Sequence, residues 1–273
     1  MTLSIGYSPC PNDTFIFYAL AHEKLKTELE FSEILMDVEG LNERALNKEL
    51  DITKASFYAF GFLRENYGLL HSGSALGRGC GPLIVAKKPI KLSELVHSSI
   101  AIPGKMTTAY LLLQLFEPCI KIVEMPFDRI MNAVSLGTVD AGLVIHEGRF
   151  TYQNYNLVKL VDLGEWWEEE TGLPIPLGGI LARRELGAGM IRKIDDLVKK
   201  SVEYAFRNRG QTKEYIRSNA QELDDEVIEQ HIQLYVNDYT LDIGDGIVAI
   251  EKLLETAEEL NLIPHCDKPV FID

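Results

Sequence analysis

The 273-residue chain holds no apolar run near the roughly 20 residues that a membrane-spanning helix needs, so such a helix is not expected. Cysteine is scarce. Cys10, Cys80, Cys119 and Cys266 are the four present, and no two form a C-x-x-C pair. Their spacing fits neither a zinc site nor a disulfide framework, and they read as reduced thiols, Cys10 being either a small buried filler or a neighbour of site residues. Positive charge is short as well: 27 Lys and Arg stand against 41 Asp and Glu, a net charge of -14. A surface of that sign repels phosphate backbones and anionic lipid, which argues against nucleic acid and membranes as partners. It leaves room for a small anionic ligand, because local backbone amides or a cation overcome the average field.

The common catalytic signatures are missing. There is no G-x-x-x-x-G-K-[ST], no H-E-x-x-H and no G-x-S-x-G. His146-Glu147 has no second histidine at the metalloprotease spacing, and the calcium-loop-like stretch from Asp242 meets Leu253 where the last ligand should be an acid. No metal and no organic cofactor is therefore expected. The N-terminus carries no basic, apolar or cleavage-site segment of an export signal, so a cytoplasmic location is expected.

What is present is an α/β pattern with enough apolar content, 46%, for a real core. Strands are predicted at 3–7, 30–36, 52–55, 68–71 and 83–86, with helices at 15–23, 41–49 and 56–63. Asn12, Asp13 or Thr14 would cap the first helix and Ser56 the third. A short helix at 91–97 leads to a second block: strands at 99–102, 121–125, 141–145 and 157–162, and helices at 109–116, 127–136 and around 165–170. Gly137 is the expected C-terminal cap of the middle helix. The stretch 174–182 reads as a return connection. Helices then dominate, over 190–208, 213–219, 225–237 and 245–260. The acidic stretches 165–170 and 222–226 read as solvated faces. No short period recurs, which excludes a solenoid. Two strand–turn–helix blocks, a return strand and a helical tail predict a two-lobed α/β protein, residues 1–90 plus 179–273 in one lobe and 91–178 in the other. Ligands of such sheets bind beyond the carboxyl ends of the strands, here expected in the cleft between the lobes.

Thr107, Thr108 and Ala109 open a helix after a strand; they form either an anion cradle or a plain cap. The turn 8–14, with Asn12 and Asp13, offers the same two readings, as does Ser56. Arg78 sits between glycines and is either solvated or an anion contact. Of the six histidines, His22, His97, His231 and His265 lie on helix faces or near the chain end, and His71 closes a strand. His146 is delivered by the apolar run Gly142–Ile145 to a strand's carboxyl end, where imidazole is a natural general base near neutral pH. A histidine that merely ends a strand is the other reading.

The strings "SIGYSPCPNDTFIFYAL", "GSALGRGCGPLIVAK", "PGKMTTAYLLLQL" and "AGLVIHEGRFTY" together resemble the 1,4-dihydroxy-6-naphthoate synthase family of the futalosine route to menaquinone, over essentially the whole chain. The resemblance implies a type II periplasmic-binding-protein-like fold. It also implies cofactor-independent lyase chemistry on a small anionic substrate, cyclic dehypoxanthine futalosine, cleaved to the naphthoate and a sugar-derived fragment. It assigns the base to His146 and substrate contacts to Ser56 and Thr107-Thr108-Ala109, with further contacts from Asn12, Asp13, Arg78 and Arg149. Chorismate dehydratase of the same pathway and a non-catalytic carboxylate binder are the alternatives. The sequence sets no oligomeric state.

Overall fold

The computed structural model describes residues 2–220 and 224–272. The first segment runs β1 (Thr2–Tyr7), α1 (Pro11–Ala21), β2 (Glu30–Leu35), α2 (Val38–Leu46), β3 (Ile52–Ser56), α3 (Phe57–Leu63), β4 (Tyr67–Leu69) and β5 (Ala75–Gly77). Next come β6 (Leu83–Ala86), α4 (Leu92–Leu95), β7 (Ser99–Ile102), α5 (Thr108–Phe116), β8 (Lys121–Glu124), α6 (Phe127–Leu136), β9 (Ala141–Val144), α7 (Gly148–Thr151), β10 (Val158–Asp162) and α8 (Leu163–Thr171). The last segment holds β11 (Ile175–Arg183), α9 (Ala188–Arg207), α10 (Arg209–Asn219), α11 (Asp225–Tyr235), α12 (Asp238–Leu241) and α13 (Ile247–Glu259). Among the described residues no helix is long and apolar enough to cross a membrane.

The chain divides into two compact units, residues 1–77 with 176–273 and residues 78–175. The crossings fall at Gly77/Arg78 and Ile175/Pro176 rather than near residues 90 and 178. The cause of the earlier first crossing is β6, which pairs with β9 and β10 in the second unit's sheet.

In the first unit the sheet order is β2-β1-β3-β11-β4, with β5 joined to β11. Leu3, Ile5 and Tyr7 alternate onto the buried face of β1, as a period of two demands. They meet α1 and the apolar stripe of α9, which includes Ile191, Ile194, Val198 and Val202. Nearly every α1 residue is buried, because α9, α10 and α11 all contact it. The expected return segment is the nine-residue strand β11, antiparallel to both β3 and β4. The short elements β5 and α12 carry too few residues to show a period. In the acidic stretch 222–226, residues 222 and 223 lie outside the described residues.

In the second unit the order is β10-β6-β9-β7-β8. Leu83, Val85, Ala101 and Val144 pack against Ile130 and Val134 of α6. Gly137 closes α6 in the left-handed conformation at φ 74°, as expected of its position. Glu168 of α8 is half-buried and engaged: its carboxylate accepts from the Gly79 amide at 2.7 Å and from Arg78 at 3.3 Å. Cys80 is buried, and burial first, with Glu168 and Asp162 adding to it against Arg149, pushes its thiol up to about 12. At neutral pH a maleimide is therefore expected to label exposed Cys119 in the native protein and spare Cys80, as read by peptide mass spectrometry.

Candidate active site

Parallel pairing decides which residues share an edge. In the first unit β1 and β3 are parallel neighbours, with Ile5 opposite Ile52 and Gly6 opposite Thr53. Their carboxyl ends, leading to Ser8–Asp13 and to Ser56, therefore emerge side by side. The first helix starts at Pro11, earlier than expected, and its cap position is Cys10, which makes no side-chain capping bond. Proline at N1 supplies a helical φ and lacks the amide that would need a partner. Asn12 and Asp13 are thereby placed inside the first turn, and their side chains enter a buried network. One Asp13 carboxylate oxygen accepts from the Ser8 amide (3.1 Å) and hydroxyl (2.7 Å). The other accepts from Asn12 Nδ2 (2.9 Å) and lies 3.3 Å from the Lys54 ammonium. The Asn12 carbonyl oxygen is 2.9 Å from His231 Nε2. Since the Asn12 amide nitrogen donates to Asp13, its oxygen is the acceptor and His231 Nε2 carries the proton.

Ser56 occupies the cap position of α3 but makes no side-chain capping bond. It is held by Asn42, whose oxygen accepts from the Ser56 amide at 3.0 Å and whose nitrogen donates to the hydroxyl at 3.3 Å. Lys54, Asn42 and the Asn12 contact of His231 escaped the sequence reading. The one usable signal was a lysine inside the short strand Ile52–Ser56, every residue of which is buried.

In the second unit β7 and β9 are parallel neighbours, with Ile100 opposite Ala141 and Ala101 opposite Gly142. The Thr107 turn and His146 accordingly leave the same edge of one sheet. Thr107 is a true cap: its hydroxyl oxygen accepts from the Tyr110 amide at 3.2 Å and donates to the Gly104 carbonyl at 2.8 Å. Thr108 and Ala109 are buried in the first turn of α5.

β9 ends at Val144, and His146 adopts φ 53°, left-handed backbone for a residue with a side chain. Such a conformation costs about 1–2 kcal/mol and persists where the surroundings enforce it. The His146 ring meets Phe127 edge-on, with centroids 5.2 Å apart. A ring nitrogen of His146 and a carboxylate oxygen of Glu147, itself buried, lie within 4.8 Å of one another.

The two arginines named as anion contacts are engaged within this unit. Arg78 binds Glu168 and, at 2.8 Å, the Gly172 carbonyl. Arg149 donates to the Gly81 carbonyl at 2.7 Å and to Asp162 at 2.6 Å. His71, the weaker histidine candidate, stacks on Phe271 at 4.0 Å.

The fold is the two-lobed, periplasmic-binding-protein-like class. A crystal structure of the alkanesulfonate-binding protein SsuA of Xanthomonas axonopodis pv. citri aligns over 97% of this chain and 94% of its own, with a TM-score of 0.72 at 15% identity. The chain belongs to the menaquinone biosynthesis family, whose model matches residues 3–259. It is 49% identical over 271 residues to the 1,4-dihydroxy-6-naphthoate synthase of Thermus thermophilus, covering 99% of each chain. A crystal structure of a protein from Archaeoglobus fulgidus is similar with a TM-score of 0.92 and 39% identity, over 96% of this chain and 98% of that one.

Proposed function

We propose that the protein is a 1,4-dihydroxy-6-naphthoate synthase acting in the cytoplasm as a cofactor-independent carbon–carbon lyase. Its substrate is cyclic dehypoxanthine futalosine. The observation that carries the reading is His146, held in left-handed backbone at the end of β9 on the same sheet edge as the capped Thr107 turn. The near-half identity to the Thermus synthase over the full chain supports it.

The substrate's aromatic carboxylate binds at Thr107, Thr108 and Ala109. Neutral His146 accepts a substrate proton. The electron pair left behind shifts to break the carbon–carbon bond to the sugar-derived portion, and completion of the naphthalene ring drives the step. The base is useful only if the ring stays in place, since misplacement on the ångström scale costs about 10²-fold in rate. The steric constraint at φ 53° and the Phe127 edge contact supply that restraint.

The binding-protein likeness of the fold favours one other reading, a carboxylate binder that consumes nothing. Purified protein is expected to convert cyclic dehypoxanthine futalosine to a naphthoate detectable by its fluorescence, and to leave chorismate unchanged. Binding without consumption would establish the binder, and turnover of chorismate would establish a dehydratase.

A further inference from the structure

The geometry points to Arg149 and Asp162 as positioning residues for His146: their ion pair, closed on Gly81, fixes the left-handed turn that presents the imidazole. This inference rests on the base role given to His146 above. Three strand termini meet here. β6 is antiparallel to β9 and to β10, so Leu83 lies opposite both Val144 and Asp162. The start of β6 and the ends of β9 and β10 consequently share the edge from which His146 departs.

Arg149 stands one helical turn past His146, and its amide donates to the His146 carbonyl at 3.3 Å. From there its guanidinium reaches the other two termini, bonding the Gly81 carbonyl and Asp162. Asp162 is itself immobilised. Its second oxygen caps α8, accepting from the Gly164 and Glu165 amides at 2.9 and 3.2 Å, and its side chain has no exposed surface. The backbones behind it are in direct contact: a Cβ on Gly81 would fall 2.3 Å from Gly164 Cα. Leu163 closes the assembly with an amide bond to the Pro82 carbonyl at 3.0 Å. A planar, bidentate donor anchored in so rigid a frame holds direction as well as distance. Such a frame is what an unfavourable backbone conformation requires in order to persist.

The test uses Arg149→Lys, Arg149→Met and the double variant Arg149→Met/Asp162→Asn. The double variant leaves no unpaired buried charge and keeps an oxygen to cap α8, so it guards against simple unfolding. Wild type and His146→Asn are assayed beside them. The expected result is kcat lowered on the order of 10²-fold in Arg149→Met and the double variant, with KM little changed and partial recovery in Arg149→Lys. In ligand-free protein, the three-bond HN–Hα coupling of His146 by NMR is expected to leave its left-handed value in the same variants. A raised KM at unchanged kcat would make Arg149 a substrate contact, and unchanged kcat per folded molecule would make the pair a stability element; either overturns the inference. An unchanged His146 coupling overturns it whatever the activity. The base reading fails separately, through turnover by His146→Asn or no naphthoate from wild type.

Discussion

His146→Asn is expected to lose turnover by a factor on the order of 10²–10⁴, the usual contribution of a positioned general base, while still binding substrate. Asparagine is the informative replacement because it tolerates left-handed backbone, so φ 53° is kept while the base is removed. His146→Ala removes the same base and adds backbone strain, and comparing the two separates chemistry from local refolding. Steady-state naphthoate formation measures the first effect and calorimetric titration with substrate the second. Turnover at the wild-type rate in either variant would sink the base assignment. Lost affinity with intact kcat would instead recast His146 as a binding group.

The charge arrangement sharpens what the proposed site has to do. An anionic substrate was expected to meet Arg78 and Arg149, yet both guanidiniums already bond to carboxylates of their own unit. The Thr107 hydroxyl and the helix-start amides of α5 are the donors that the proposed carboxylate contact relies on.

Why the arginines' protein partners were not legible in the sequence is physical. A glycine-flanked or strand-end arginine in sequence displays its charge but not its counter-ion. Glu168 lies 90 residues beyond Arg78 and meets it only through the tertiary fold. Asp162 is nearer to Arg149, yet the pair forms because β10 returns antiparallel beside β6. The strand-end position of His146, by contrast, is a local property, and the apolar run before it was enough to place it. The start of α1 was misread because Asn12, Asp13 and Thr14 are all good caps, while Pro11 preceding them sets the first helical φ itself. β11 forms as the expected return strand although it holds Pro176, Gly178 and Gly179. Pro176 falls near the strand's start, where proline is tolerated. A Cβ on Gly178 would stand 2.6 Å from the Ala55 carbonyl oxygen, so this glycine serves close strand approach rather than a turn.

The second large effect lies in the first unit's buried network. Lys54→Met is expected to destabilise the protein by about 3–5 kcal/mol, the usual result of removing one partner of a buried ion pair. Lys54 and Asp13 have only 7% and 2% of their side-chain surfaces exposed, so the Asp13 carboxylate left behind could not be rehydrated without opening the core. Asp13 also organises the Ser8 turn through two hydrogen bonds, and through Asn12 it holds His231 of α11, so the loss would spread across three elements. The double variant Lys54→Met/Asp13→Asn separates charge from connectivity. An amide at position 13 still accepts from Ser8 and carries no charge to desolvate, so most of the lost stability should return. In thermal denaturation the single variant should melt about 10 °C below wild type or lower, with the double variant well above it. If the double variant were as unstable as Lys54→Met alone, the cost would lie in the lysine's packing and its bond to the Gly73 carbonyl at 3.3 Å, and not in an orphaned carboxylate. The ion pair is thus better understood as fixing the turn between β1 and α1 than as a net source of stability, because two charges taken out of water recover little more than their desolvation cost.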